Sequence, residues 1–251
     1  MVDAQRKQES TIDPGEVSRF AAMAKEWWAP HGKMRPLHKL NPVRIAFIRD
    51  LACDIFDRSP RKLDCLRGLR ILDIGCGGGI LSEPLARLGG EVVGIDPAEE
   101  NVEVAKVHAE QSALEIDYRA TSAETLADAG EKFDIVIGSE VVEHVADLPK
   151  NKKHAYEICK DGGFMAITTI NRTLRSFALA IVGAEYILRW LPVGTHTWDK
   201  FVMPEELAGA FAANGMDECD RGGMIFNPLT GEWRRGFDTA INYMIAGRKP
   251  A

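Results

Sequence analysis

Apolar positions keep a helical rhythm early in the chain and switch to short strand-like runs later. Val17, Phe20, Ala21, Ala24, Trp27 and Trp28 recur at roughly helical spacing, then Pro30, Pro36 and Pro42 break the pattern. A second helical stretch is predicted from Pro42, in a first-turn position, through Phe56. From Leu69 onward, β-branched runs bounded by glycine alternate with helical patterns, the texture of βαβ units around a parallel sheet. Strands are expected over 70–74, 91–95, 115–120, 133–138 and 164–169, with helices near 80–88, 99–111 and 149–159. A helix over 204–214 opens on proline and closes on Asn-Gly, and two late runs, 217–225 and 240–246, are expected to pair antiparallel at the sheet edge. No internal repeat and no low-complexity tract interrupts this order.

Composition narrows the class. At 251 residues, with 45% hydrophobic and 27% charged, the chain sits at the globular average and can fold around its own core. Disorder, collagen and a disulfide scaffold are excluded. The 31 basic and 37 acidic residues leave a net charge of −6, which argues against a dedicated nucleic-acid binder. Five cysteines, without C-x-x-C spacing, predict a reducing, cytoplasmic setting. Neither a secretory signal nor an apolar run of about 18 residues is found.

The strongest chemical signal is Asp73-Ile74-Gly75-Cys76-Gly77-Gly78-Gly79, at the end of one predicted strand and just before a helix. Glycines there let the chain turn sharply and bring a ligand against main-chain atoms. At the end of the next strand stands Asp96, whose carboxylate can accept both hydroxyls of a ribose, so an adenosine-type cofactor is expected. A dinucleotide fingerprint would place its third glycine at position 80, which is Ile80, and no P-loop motif occurs. Ser122-Ala123-Glu124, after the third strand, offers polar groups for an adenine amine, or an N-cap for a helix.

The D-x-G-x-G-x-G run resembles the first motif of class I S-adenosylmethionine-dependent methyltransferases. A narrower resemblance, to the ubiquinone-biosynthesis O-methyltransferases, rests on Glu26-Trp27-Trp28, Pro36-Leu37-His38, Asn41-Pro42-Val43-Arg44, Val142-Glu143-His144-Val145, the block from Val182 to Leu188, Gly194-Thr195-His196 and Ile241-Asn242-Tyr243-Met244. It implies an α/β class I methyltransferase fold: a mostly parallel, seven-stranded Rossmann-like sheet, helices on both faces, and an N-terminal helical cap. Residues 1–68 would form the cap and 69–251 the cofactor-binding unit, with an insert over 172–200, all in one structural domain. The resemblance further implies methyl transfer from S-adenosylmethionine to a polyprenylated catechol or demethylubiquinol, with other ubiquinone-pathway enzymes as partners. Cofactor contacts are implied from Arg44, Gly75, Asp96 and Ser139; Gly77 of the glycine run is expected to join them, and Ser122 stands where the wider superfamily often holds the adenine. Arg44 suits the methionyl carboxylate, because a planar guanidinium grips it with two parallel bonds. On its residue type alone it reads as a surface arginine of a helix.

The predicted fourth strand ends in Ser139-Glu140-Val141-Val142-Glu143-His144. Open α/β sheets bind ligands at such ends, so these groups should face the methyl donor. A phenol with a pKa of about 10 must lose its proton during transfer. His144 can serve as general base, or Glu140, Glu143 and His144 can hold a divalent cation, Mg2+ or Zn2+, that stabilises the phenolate. The resemblance favours the cation. His38 and His196 are expected at the substrate pocket, His31, His108 and His154 at the surface, and Cys76 in a packing role.

One further segment, 174–191, carries Phe177, Leu179, Ile181, Val182, Tyr186, Ile187, Leu188, Trp190 and Leu191, with Arg172, Arg175 and Arg189 around it. Too short and charged to span a bilayer, it suits a peripheral contact with the inner face of a membrane, or equally a buried helix of a substrate lid. The rival functions are an O-methyltransferase for another small phenol, a nicotinamide oxidoreductase, which Ile80 disfavours, and a non-catalytic assembly protein.

Overall fold

A computed structural model of the protein describes residues 26–29, 32, 34–142, 156–177 and 198–251. Its first long element is α1 (Arg35–Ile55). The helix starts seven residues before the expected Pro42 and runs through it, with Pro36 in its first turn. Leu40, Val43, Phe47, Ile48, Leu51 and Ala52 make a continuous buried stripe across the proline. Packing of that stripe outweighs the one backbone bond that Pro42, on the exposed side, cannot donate.

Then follow β1 (Arg70–Ile74), α2 (Ser82–Arg87), β2 (Glu91–Asp96), α3 (Glu99–Gln111), β3 (Asp117–Ala120), α4 (Ala123–Asp128), β4 (Phe133–Ser139) and β5 (Cys159–Ile170). The chain ends with α5 (Pro204–Ala213), β6 (Asp217–Asn227), β7 (Glu232–Gly236) and β8 (Asn242–Arg248). All eight strands form one sheet in the order β3-β2-β1-β4-β5-β8-β6-β7. The first five run parallel, and β8 joins β5 antiparallel. Alternation along the central strands divides the core cleanly. Ile71, Ile135, Ile137, Phe164 and Ala166 face α1, while Leu72, Val136, Met165 and Ile167 pack with Leu207 and Phe211 of α5. Burial on both faces is why these strands read as near-continuous apolar runs.

The α/β fold and its helices on both faces are as expected, but the sheet has eight strands where seven were expected. β6 and β8 do pair antiparallel, and the unforeseen β7 takes the edge beyond them. Its sequence, Glu-Trp-Arg-Arg-Gly, lacks alternation; its Arg235 guanidinium lies 5.1 Å from the centre of the Phe47 ring of α1, so its partner is a distant helix. β5 begins five residues earlier than expected, and of the helix expected over 149–159 only 156–159 is described: 156–158 is helical and Cys159 already opens β5. From β1 the chain winds outward through β2 and β3, then returns to place β4 on the other side of β1. The crevice at this reversal, over the carboxyl ends of β1 and β4, is where such sheets receive ligands.

Candidate functional site

Backbone geometry builds the first half of the crevice. Gly75 and Gly77 both take left-handed conformations, φ 69° and 52°. The Gly75 and Cys76 amides donate to the Ile95 carbonyl at 2.8 and 3.0 Å, tying the glycine turn to the end of β2. There Asp96, buried, accepts from the Gly77 amide at 3.1 Å, the Ala98 amide at 2.9 Å and the Asn101 amide group at 3.2 Å. Burial pushes its carboxyl above the usual aspartate range, and these three donors pull it back. Behind the turn, Asp73 accepts the Ser82 hydroxyl at 2.6 Å. Burial drives Asp73 up to about 7, although that hydroxyl and the Arg44 charge lower it.

The two tryptophans of the N-terminal block lie on this turn. A Cβ on Gly77 or Gly78 would overlap the Trp27 side chain, so the indole lies directly against glycine backbone. Its Nε1–H donates to Asn101 Oδ1 at 2.9 Å, which orients the Asn101 NH2 toward Asp96. Trp28 donates to the Gly78 carbonyl at 2.7 Å and stacks on His108 with ring centres 3.5 Å apart. His108, expected at the surface, is thus held between Trp28 and the buried Glu83. His38 meets the Trp27 carbonyl at 2.8 Å through Nε2. Cys76 is buried, and burial pushes its thiol well up, in keeping with a packing role.

Side chains build the second half. Arg44 sits on the inward stripe of α1 beside Val43 and Phe47, with only 4% of its surface exposed. Its Nη2 donates to Glu140 Oε1 at 2.8 Å, while its buried Nε has no hydrogen-bond partner. Glu140 follows β4 in a left-handed conformation, φ 53°, its amide bonded to the Thr168 carbonyl at 2.9 Å. The Thr168 hydroxyl donates to Glu140 Oε1 at 3.2 Å and lies 2.9 Å from Ser139 Oγ, which must then be the donor to it.

The expected site residues therefore fall into three groups. Gly75, Gly77 and Asp96 form one hydrogen-bonded unit, and Arg44, Ser139 and Glu140 another. Ser122 belongs to neither: its hydroxyl caps α4, accepting from the Thr125 amide at 3.4 Å. Glu143 and His144 lie outside the described residues, as do His31, His154, His196 and 178–197 of the apolar insert. Trp27, Asn101 and Thr168 enter the site unannounced. Asn101 had a usable signal, since Asp96 and Asn101 bracket the first turn of α3; Thr168 looked like any residue of a buried strand.

A divalent cation finds no described cluster: no three His, Cys, Asp or Glu side chains converge among the described residues. Glu140, the one described member of the expected set, faces a guanidinium instead. A ligand bearing a ribose and a carboxylate fits better, because Asp96 supplies an acceptor and Arg44 an unsatisfied buried donor.

A family model described as a methyltransferase domain matches residues 45–217. A ubiquinone biosynthesis O-methyltransferase of Chelativorans sp. (strain BNC1) is 56% identical over 241 residues, covering 96% of this chain and 95% of the relative. One from Azorhizobium caulinodans is 55% identical over 242 residues, with 96% and 95% covered. Among solved structures, the magnesium protoporphyrin IX methyltransferase of Synechocystis PCC 6803 with bound SAH superposes with a TM-score of 0.59 at 19% identity, covering 82% of each chain. A possible histamine N-methyltransferase from Thermotoga maritima gives 0.58 at 21%, covering 93% of this chain and 98% of the other. At such identities these two speak for the fold alone.

Proposed function

The chain belongs to the ubiquinone biosynthesis O-methyltransferase family, and from that premise we propose that it methylates an oxygen of a polyprenylated catechol or of demethylubiquinol with S-adenosylmethionine as donor. The observation that supports the site assignment is that Asp96, bonded to the Gly77 amide at the end of β2, and Arg44, bonded to Glu140 after β4, both lie at the carboxyl edge of the sheet. When bound, the cofactor supplies an electrophilic methyl group on a sulfonium. Asp96 would accept from the ribose, the left-handed Gly75 and Gly77 shape the turn with Val141 and Trp27 packed where their side chains would be, and Arg44 would take the methionyl carboxylate. Ser139 and Glu140 border the reacting end.

The phenolic proton has two routes on this chain. His144 takes it as a base, or Glu140, Glu143 and His144 hold Mg2+ or Zn2+ as a Lewis acid. Glu140 is engaged by Arg44 at 2.8 Å, so a cation set would require it to turn away, and no step here depends on one. Methyl transfer to a prenylated catechol, assayed with and without a chelator, tests both. Turnover is expected with the prenylated catechol and to be lower with its tail-free counterpart. Absence of transfer to either sinks the assignment, and insensitivity to chelator leaves His144 as the base.

A prenyl tail resides in lipid, so we also propose peripheral contact with a membrane through the segment 174–191. No described helix is long and apolar enough to cross a membrane. Leu174 at the start of the segment is 82% exposed, and Phe237, fully exposed, lies beside Asp238, which pairs with Arg175 at 3.7 Å. Exposed apolar tips of this kind suit contact with a lipid surface. Sedimentation with anionic liposomes is expected and should be lost in Leu188→Glu with Trp190→Glu; a wild-type chain that stays in the supernatant would refute it.

A further inference from the structure

Arg44 already holds a carboxylate, and holds it incompletely. A guanidinium offers a carboxylate two parallel bonds through Nε and one Nη. Glu140 engages Arg44 through Nη2 to Oε1 at 2.8 Å, and the Arg44 Nε is left buried without a partner. Glu140 reaches this position with a left-handed backbone, uncommon for a residue with a side chain, kept there by the Thr168 carbonyl and hydroxyl.

Charge makes this arrangement consequential. Arg44 is only 4% exposed, so its pairing with Glu140 is poorly screened by water. A second carboxylate entering beside Glu140 would meet repulsion that a single guanidinium does not offset. An incoming carboxylate able to use Nε and Nη2 together satisfies the orphan donor that Glu140 leaves, and is the better partner.

We infer that Glu140 and the carboxylate of the cofactor compete for Arg44, so that cofactor binding exchanges one for the other and turns Glu140 away from the guanidinium. The inference rests on the cofactor reading above. It makes Glu140 a positioning residue that weakens cofactor binding, and it ties Glu140's availability for any later role to occupancy of Arg44 by the cofactor.

Calorimetric titration of the full chain in chelator-containing buffer, with two probes, tests this. S-adenosylhomocysteine carries the carboxylate; 5′-methylthioadenosine keeps the adenosine and thioether but lacks the amino-acid end. Glu140→Gln is expected to bind S-adenosylhomocysteine about five- to tenfold more tightly than wild type, a gain of roughly 1 kcal/mol, with methylthioadenosine affinity unchanged. Glu140→Gly, which suits the left-handed backbone, should give the same split, and stands in if the glutamine variant fails to fold. Equal affinities in wild type and variants, or equal gains for both probes, overturn the competition. Weaker S-adenosylhomocysteine binding alone overturns it too, and makes Glu140 the partner of the ligand's ammonium. A wild-type chain that binds neither probe refutes the cofactor reading itself, whereas binding without the split refutes the exchange alone.

Discussion

At the ends of β1 and β2, the Asp96 carboxylate receives two backbone amides and one side-chain amide, and the glycine turn is tied to the Ile95 carbonyl. At the end of β4, the Glu140 carboxylate accepts from the Arg44 guanidinium and the Thr168 hydroxyl, and the Arg44 Nε is left over. The first is fixed largely by main-chain groups that cannot rotate away. The second is held by long side chains whose partners can be exchanged. A transferase uses both properties: one end of the donor must be anchored, while the other must admit a substrate and let the product leave.

The contrast breaks most visibly at Asp96. Asp96→Ala strips the acceptor from three donors at once, each orphan costing about 1–3 kcal/mol when buried, and is expected to abolish S-adenosylhomocysteine binding and lower Tm by many degrees. Retained binding would mean the first half is not the anchor.

Asp73 gives the next largest effect, with a sign set by pH. Its folded pKa of about 7 lies above its unfolded 3.8, so between those values the folded protein binds a proton that the unfolded chain does not. Its destabilisation is therefore full above pH 7 and is relieved as pH falls toward 4. Asp73→Asn should be more stable than wild type at pH 8, by a few kcal/mol at most, and lose that advantage near pH 4. Urea melts at both pH values check it; a difference independent of pH refutes it.

Gly77→Ala puts a methyl group into the Trp27 ring at φ 52°, and the backbone alone costs about 1–3 kcal/mol. Altered tryptophan fluorescence should accompany the loss of stability. Trp27→Phe keeps the ring on the turn but removes the bond to Asn101, with a smaller expected loss of about 1 kcal/mol and weaker S-adenosylhomocysteine binding through a less restrained Asp96. Ser122→Ala should cost about 0.5–1 kcal/mol through the lost cap of α4. Cofactor affinity unchanged by that substitution would confine Ser122 to capping; a tenfold loss would restore it to the adenine.

Legibility in the sequence followed the range of the interactions. β1, β2 and β4 were readable because burial on both faces makes them short apolar runs, and the turn after β1 because its glycines are demanded by backbone conformation. α1 extends seven residues ahead of the boundary that Pro42 suggests because its stripe is stabilised by the sheet it covers. β7 escaped because a charged edge strand draws its support from β6 and α1. His108 reads as a surface residue of α3 until Trp28, eighty residues earlier, is laid on it.

By itself the sequence determined the anchored half: a strand, a turn that needs glycine, and an acid at the end of the next strand, all set by local backbone requirements. Tertiary structure decided the exchangeable half. Arg44 and Glu140 are 96 positions apart, Trp27 and Asn101 are 74 apart, and their meeting depends on how α1 is rotated against the sheet and where the N-terminal block comes down. A guanidinium on a helix points to solvent or into a ligand crevice according to that rotation. The rotation is set by the apolar stripe from Leu40 to Ala52 docking on the sheet, so Arg44's role follows from packing among residues far apart in the chain.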